Sequence, residues 1–347
     1  MATIPASGAV DFTSLQDEFG GSNPISLDEY YSASLSIVGG SVPASGAISL
    51  DNFHGAHAAK GLWGNTTNSV YALNFITETL STITIVGLQQ RSGVNSSTKL
   101  YGISTASTTT VTSINFVTET FTSLTVGSNP SPSSGGVGTV CNSSTTGYAY
   151  FDQQNSNTVP ALPTMKTNVV KFTFSSETFS AGGSTTACEF VNYGSSQSST
   201  KGYTGGYGYW TGDLFTPTDN VVNSIMGLTF SSDTASSIGK TLPGTTRWAT
   251  SQGNSTLKSY FYGGTTGIQT GTNQNTITGM PFATETPVNL SATLVSAYTN
   301  QNGVPVCSGT KNWLYNQTLT YATETITSLG STVNPNQSNG QPYNIMP

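Results

Sequence analysis

Charged residues, cysteine and long apolar runs are all scarce in this sequence. Charged residues make up 7% of the 347 residues, and there is no run of about 18 apolar residues. A helix that spans a membrane needs about 20 such residues, so we expect no membrane span. The first residues show no basic region followed by an apolar one, which predicts a protein made in a cytosol without a signal peptide.

The few cysteine and histidine residues do not form a recognisable metal-binding pattern. Cys141, Cys188 and Cys307 lie far apart and lack the CxxC spacing, so we expect them to behave as small buried apolar residues. His54 and His57 have only Asp51 nearby, which favours a solvated linker. We therefore predict no metal site and no cofactor.

The net charge of −6 is confined to the N-terminal segment. Before residue 52 there is no Lys or Arg, and the acids are Asp11, Asp17, Glu18, Asp28, Glu29 and Asp51. The rest of the chain therefore carries 16 − 6 = 10 acids against 10 bases. A neutral body without basic runs predicts neither a nucleic acid nor an anionic membrane as partner.

The sequence is rich in residues that suit strands and turns, and one motif recurs in it six times. Thr, Val, Tyr and Phe alternate with clusters of Ser, Asn and Gly, which indicates β-structure. The motif consists of an aromatic residue, a small residue, Thr or Ser, an acid, and Thr. Its acids are Glu78, Glu119, Glu177, Asp233, Glu285 and Glu324, at intervals of 41, 58, 56, 52 and 39 residues.

A second motif precedes each copy and consists of a small polar run, a Lys and an aromatic strand. Its bases are Lys60, Lys99, Lys201, Lys258 and Lys311, and only the third copy, near Gly147, lacks the Lys. Two interpretations are open: a ring of sites with one per repeat, or an ion pair or hydrogen-bonded turn that fixes strand register within each repeat. The six copies are alike, which favours the ion pair or hydrogen-bonded turn. A partly buried acid needs a partner, and functional sites usually come from loops that differ between repeats.

The repeat length predicts the fold. Units of about 40 to 57 residues, each with four short strands, match the period of a propeller blade. We predict an all-β protein with a β-propeller-like body of about six four-stranded blades at residues 57–347. Gly-Gly pairs after aromatic strands, at 205–206 and 263–264, are similar to kelch blades. The sixth copy lacks a strand, and we expect residues just before Lys60 to supply it and so close the ring.

We predict that residues 1–56 form a small N-terminal module that contains a short internal repeat. Residues 4–12 and 42–50 share the string PASGA, and Ser14 and Ser26 each precede an acidic turn typical of a short helix. The module looks too small for a substantial core. We therefore expect it to dock on another surface through a set of apolar and aromatic residues: Leu15, Phe19, Leu27, Tyr30 and Tyr31.

An insertion in the fourth repeat is the best candidate for ligand binding. It contains Tyr207, Tyr209, Trp210 and Asp213, and Trp248 lies in the next long loop. Aromatic rings beside carboxylates and amides suit sugars, whose apolar faces stack on rings. The alternative is that these aromatics pack beneath a longer blade.

Catalysis has little support in the sequence. No GxSxG context is present, and the body has only four acids outside the repeat position: Asp152, Glu189, Asp213 and Asp219. We therefore expect no catalytic residues and a protein that is not an enzyme. Cleavage of a polysaccharide by converging acids stays open as an alternative.

The leader of the chain resembles a known group of proteins. The string LQDEFGGSNPISLDEYY, between PASGA and VPASGAISLDNFHGA, is similar to a leader in virion structural proteins of marine tailed phages and cyanophages. In that group it often precedes kelch-like or other β-rich repeats. The resemblance covers residues 4–56, about a sixth of the chain.

The resemblance implies a tail, baseplate or fibre-associated protein located in the virion. It further implies that the module binds other virion proteins and that the protein is a homo-oligomer or present in many copies. The repeat body would face outward, where host-surface polysaccharide is a candidate ligand. A polysaccharide-degrading enzyme and a purely architectural collar or capsid-decoration protein are the alternatives.

Overall fold

The fold is known from a computed structural model of the chain. It describes residues 4–5, 7–31, 37–38, 40–64, 69–84, 92–103, 110–115, 120–126, 137–153, 166–184, 196–211, 218–244, 251–266, 271–298, 306–314, 316–329 and 342–343.

These residues form a short α-helical and 3-10-helical module followed by six sheets of four antiparallel strands arranged as a β-propeller. The predicted fold class and blade number are confirmed.

Each blade is an antiparallel meander of strands A, B, C and D. In the first three blades the strands are β3 (Lys60–Gly64), β4 (Ser69–Asn74) and β5 (Leu80–Thr84); β6 (Ser92–Asn95), β7 (Lys99–Ile103), β8 (Thr110–Asn115) and β9 (Phe121–Thr125); and β10 (Val137–Asn142), β11 (Thr146–Gln153), β12 (Lys166–Thr173) and β13 (Thr178–Ser184). The first of these blades takes its strand A from elsewhere in the chain.

The remaining three blades follow the same order. Their strands are β14 (Ser196–Gln197), β15 (Lys201–Thr211), β16 (Thr218–Thr229) and β17 (Thr234–Thr241); β18 (Ser251–Asn254), β19 (Lys258–Tyr262), β20 (Gln274–Pro281) and β21 (Val288–Tyr298); and β22 (Val306–Cys307), β23 (Lys311–Leu314), β24 (Gln317–Thr320) and β25 (Thr325–Ser328).

The ring closes through the C-terminal strand β26 (Pro342–Tyr343). Pro342 pairs with Trp63 and Tyr343 with Leu62, so β26 is strand A of the first blade. The prediction that residues just before Lys60 complete the sixth blade was wrong. Blade 6 has its four strands already, and the chain end completes blade 1, because strand A pairs with strand B and blade 1 begins at strand B.

The meander gives the propeller two different faces. Because strands alternate in direction, the C–D turn of a blade lies at the same end of its sheet as the A–B turn, which blades 2 to 6 have. We call the side formed by these turns the turn face. The B–C loops and the connections between blades lie on the opposite side, the loop face. The repeated Lys begins strand B and the repeated acid lies in the C–D turn, so both motifs belong to the turn face.

The C–D turn explains why the acid recurs. In blades 3, 4 and 6 a four-residue loop joins paired Thr residues, and the acid is the last loop residue. The backbone there is left-handed, with φ between 49° and 53° at Glu78, Glu177, Asp233, Glu285 and Glu324. That conformation costs a residue with a Cβ roughly 1 kcal/mol and favours Gly. Since Gly would suit this backbone better, the acid must recur because of what its side chain binds.

The N-terminal module folds around its own core. It contains α1 (Phe12–Phe19), two 3-10 helices (Leu27–Tyr30 and Leu50–Phe53), and strand β1 (Ile37–Val38), which pairs with β2 (His57–Ala58). The rings of Phe19, Tyr30 and Phe53 meet with centroids 6.0 to 6.1 Å apart. The two PASGA segments occupy equivalent positions, because each leads into a helix: Asp11 precedes α1 and Ser49 precedes the last 3-10 helix. Ser26 caps its helix as predicted, whereas the cap of α1 is Asp11 and Ser14 donates to it.

This core corrects the predicted docking role of Leu15, Phe19 and Tyr30, whereas Leu27 and Tyr31 are half-buried at its edge. Leu15, Phe19 and Tyr30 are buried inside the module, and Leu27 packs against the same core. Tyr31 donates its hydroxyl to the carbonyl of Gly46 at 2.6 Å. These side chains hold the module together, because the two echoed halves bury apolar surface against each other.

The end of the module also differs from the prediction. His57 is buried in β2, and Ala58 belongs to the module core, so the module extends to Ala58. His54 lies in the turn after the last 3-10 helix, where Nδ1 is 3.4 Å from the carbonyl oxygen of Pro5. The interpretation as a solvated linker was therefore wrong for His57, whereas His54 lies in a turn with 27% of its side chain exposed.

No helix in the described part of the chain is both long enough and apolar enough to cross a membrane.

Candidate functional site

The repeated Lys and acid meet at the seams between neighbouring blades. In each case a Lys of one blade binds the turn acid of the next, with nitrogen to oxygen distances of 2.6 to 2.8 Å. The pairs are Lys99–Glu177, Lys171–Asp233, Lys201–Glu285, Lys258–Glu324 and Lys311–Glu78. The predicted structural role fits these contacts, but the expectation that the pair acts within one blade was wrong. Lys and acid are both at the turn face, and the C–D turn leans toward the preceding blade.

A tyrosine adds a second bond to four of these acids. Its hydroxyl donates to the acid at 2.8 to 3.2 Å, in the pairs Tyr101–Glu177, Tyr148–Asp233, Tyr203–Glu285 and Tyr260–Glu324. The same ring stacks on the aromatic residue that opens the TET turn. The stacked pairs are Tyr101–Phe174, Tyr148–Phe230, Tyr203–Phe282 and Tyr260–Tyr321, with interplanar angles of 8° to 13°. One turn thus offers a ring and a carboxylate to the blade before it.

The electrostatics of the seams follow from this geometry. The hydrogen bond from Lys99 holds the pKa of Glu177 below its ordinary value of 4.5. Burial acts to raise the pKa of Glu285, but the bonds from Lys201 and Tyr203 outweigh it and the pKa is lowered. Burial first, and then the neighbouring carboxylate, raises the pKa of Tyr101 and Tyr203 well above 10.0. The tyrosines therefore stay protonated and donate.

The third blade shows how a missing Lys is replaced. Thr146 begins its strand B where other blades have Lys, and the base comes from Lys171 in strand C. Lys171 pairs across the sheet with Tyr148, which places its amine at Asp233 with an Nζ to Oδ2 distance of 2.6 Å. The sequence analysis missed Lys171. Its position directly opposite the repeated Tyr is the signal that points to it.

Two seams depart from the pattern. At the closing seam Trp313 replaces the tyrosine and stacks on Phe75 at 4.7 Å, and its buried indole nitrogen has no partner among the described residues. At the seam from blade 1 to blade 2 the acid is Glu119, which lies outside the described residues. Lys60 of that seam has its amine 3.9 Å from Oε1 of Glu18 in the module.

Side-chain amides join the innermost strands. Asn142 accepts from the backbone N–H of Asn95 at 3.0 Å, and Gln197 accepts from that of Asn142 at 2.6 Å. Asn254 accepts from Gln197 and donates to its carbonyl. Strand A has no strand on its inner side, so these amides satisfy backbone groups that would otherwise lack partners. They serve the scaffold.

Cys307 takes the amide position in blade 6. Its thiol is buried, and burial raises its pKa to about 11. Cys141 is also buried, so the prediction of buried cysteines is confirmed for these two. Cys188 lies outside the described residues.

Glu18 lies where the module meets the propeller. Its buried carboxylate accepts the backbone N–H of Ala58, the last residue of the module, at 3.0 Å, and its Oε1 lies 3.9 Å from the amine of Lys60 in blade 1. Its backbone carbonyl accepts Nδ2 of Asn74 at 3.0 Å. Ile76, in the C–D turn of blade 1, packs against the module core. The module therefore sits on the turn face at blade 1.

Three of the predicted sugar-binding residues lie in the half of a strand that runs toward the loop face. Tyr207, Tyr209 and Trp210 lie in β15, and their side chains are outside the description. Asp213 and Trp248 lie outside the described residues altogether. Strands β15 and β16 have 11 and 12 residues, against 4 each for β23 and β24. Since both hairpins start at the turn face, that of blade 4 reaches about 20 Å further on the loop side.

No protein family matches this sequence, and no curated protein is significantly similar to it. In the described ranges no group of three His, Cys, Asp or Glu side chains is placed to hold a metal ion.

Acid should weaken the seams. The lowered pKa of Glu177 contributes stability that is present above pH 4.5 and is lost as the pH falls below it. We expect Glu177→Gln to lower the free energy of unfolding by about 1 kcal/mol or less at pH 7, because the pair is partly exposed. That difference from the wild type should shrink as the pH falls below 4.5.

Denaturant titrations between pH 3 and pH 7 measure this difference. Lys99→Met removes the partner and should show the same pH dependence. A difference that stays constant across the range would contradict the assignment.

Loss of the Glu18 carboxylate should loosen the module. Glu18→Ala leaves the buried N–H of Ala58 without its acceptor and removes the carboxylate beside Lys60, and we expect the module to lose about 1 to 3 kcal/mol of stability. Hydrogen exchange measured by mass spectrometry should then rise in residues 12–30 and 57–60 and stay unchanged in blades 3 to 5. Asp17→Asn, an exposed neighbour, is the control. Equal exchange in both variants would contradict this role of Glu18.

Proposed function

We propose that this protein is a structural and adsorption component of a bacteriophage particle. The observation that carries the proposal is the leader string at residues 4–56, which resembles the leader of phage virion proteins and forms a folded module fastened to one face of the propeller. The fold itself is compatible with many functions. The turn face and module would join other virion proteins.

The contacts of the repeated Lys and acid residues support a function without catalysis. Five of the six turn acids are bound by a Lys at the seams, which supports a scaffold role for the repeat over a ring of binding or catalytic sites. Variation between blades is concentrated in the hairpins of the loop face. In our proposal this face points away from the particle and contacts host-surface polysaccharide. Several weak contacts on a particle with many copies would add by avidity.

An immunoblot of purified particles tests the proposal. An antibody raised against the full chain should detect it in particles that have been washed and banded by density. Absence of the chain from such particles would overturn the virion assignment. The same particles should carry the chain in many copies.

Adsorption measurements separate the two alternatives. Trp210→Ala combined with Trp248→Ala should lower adsorption per assembled particle if the loop face binds polysaccharide, while a purely architectural protein would show no change. Release of reducing sugar ends by the purified chain, lost in Asp213→Asn or Asp219→Asn, would instead indicate a polysaccharide-degrading enzyme.

A further inference from the structure

Strands A and B are joined by a tight turn in blades 2 to 6 but not in blade 1. In each of these five turns the backbone N–H of a serine donates to the carbonyl of the first residue of strand B at 2.8 to 3.0 Å, and the serine hydroxyl accepts the N–H of that residue at 3.0 to 3.1 Å. The serines are Ser96, Ser143, Ser198, Ser255 and Ser308. Strand A of blade 1 is β26, which no turn connects to Lys60. The inner strand of blade 1 is therefore held to its sheet without a covalent turn.

The chain enters blade 1 from the module instead. The strand before Lys60 is β2, which pairs with β1 of the module. The N–H of Ala58, two residues before Lys60, donates to Oε1 of Glu18 at 3.0 Å. A carboxylate of α1 thus lies near the start of strand B, where the other blades have the serine of their A–B turn.

Helix α1 also supports the C–D turn of blade 1. The backbone carbonyl of Glu18 accepts Nδ2 of Asn74 at 3.0 Å, and Oδ1 of Asn74 accepts the N–H groups of two turn residues, Ile76 and Thr77, at 2.9 and 3.1 Å. Gly20, at the end of α1, lies against the same turn, since a Cβ on it would be 3.4 Å from Cγ2 of Thr77. One amide therefore binds the module and the turn together.

That turn carries the acid of the closing seam. Glu78, the residue after Thr77, has a left-handed backbone with φ of 53° and binds Nζ of Lys311 in blade 6 at 2.6 Å. Trp313 stands where four other seams have a tyrosine, and its indole nitrogen has no partner among the described residues. The ring of Trp313 therefore gives Glu78 no second bond. Closure at this seam depends on the position of a turn that the module supports.

The apolar part of the closing seam begins where the module ends. Ala58 belongs to the module core, and Ala59 shares a buried cluster with Val306 and Trp313 of blade 6. A Cβ on Gly61 would overlap Val306, so the backbone of strand B lies directly against blade 6. Since close-packed interiors transmit strain, a shift of β2 with the module would also disturb the contact with blade 6.

We propose that the N-terminal module keeps the propeller ring closed. It holds the C–D turn that presents Glu78 to Lys311, and it takes the place of the turn that blade 1 lacks. When the module leaves blade 1, the seam between blades 6 and 1 opens before the others. The four seams between blades 2 and 6 each have a tyrosine on the acid and an A–B turn in both blades. This role is the same whether or not the protein belongs to a virion.

Hydrogen exchange of the full chain, measured by mass spectrometry, tests whether the module acts on blade 6. Glu18→Ala loosens the module, and exchange should rise roughly fivefold or more in β22 to β24 as well as in the module. Blade 6 contributes no described residue to the module core, so a rise there has to pass through the seam. Asp17→Asn, which changes an exposed neighbour, should leave exchange in both regions unchanged.

The reverse measurement starts from the closing ion pair, because coupling between two equilibria is reciprocal. Lys311→Met removes the partner of Glu78, and exchange in module residues 12–30 should rise roughly fivefold or more. Lys201→Met removes the same kind of pair, with Glu285, from the seam between blades 4 and 5 and is the matched control. It should raise exchange in those two blades and leave the module unchanged.

Melting temperatures should show that the four variants fold. Three results would overturn the proposal: unchanged exchange in blade 6 of Glu18→Ala, unchanged exchange in the module of Lys311→Met, or an equal rise in the module of both lysine variants. Detection of the chain in particles is a separate measurement, so the virion assignment and the role in ring closure stand or fall independently.

Discussion

The propeller depends on the carboxylate that each of the five described C–D turn acids presents to the preceding blade. It occupies a left-handed backbone position that favours glycine, and a Lys and usually a Tyr of the preceding blade bind it. The cost of the backbone and of partial burial is offset by charge-assisted bonds and by stacking of the adjacent ring. In every described Lys–acid pair the acid belongs to one blade and the Lys to the blade before it. The seams therefore have a fixed direction around the ring. The blades therefore cannot be treated as independent sheets.

This arrangement separates the scaffold from the variable surface. Lys, acid, Tyr and the inner amides lie at the turn end or around the axis, where the blades resemble one another. The loop side differs strongly between blades, as the long hairpin of blade 4 shows against the short one of blade 6. The module joins at the turn side and packs against the C–D turn of blade 1. A protein that assembles through one face and presents ligand-binding loops on the other fits this division.

The sequence predicted the blade number and fold because the TET motif keeps its pattern through uneven spacing. It placed Lys and acid in a structural role, but it could not tell that they act between blades, since a linear repeat carries no information on which copy a side chain reaches. It missed Lys171 because the replacement comes from the neighbouring strand. It mistook Leu15, Phe19 and Tyr30 for docking residues because the packing of the two echoed halves is a tertiary property.

A double-mutant cycle on Lys171 and Asp233 tests the central claim most directly. Asp233→Asn keeps a residue that accepts the left-handed backbone, and Lys171→Met keeps the length of the side chain. Unfolding free energies should show a coupling of about 1 kcal/mol between these positions and none between Lys171 and Glu177 of its own blade. No coupling with Asp233, or equal coupling with Glu177, would contradict the account.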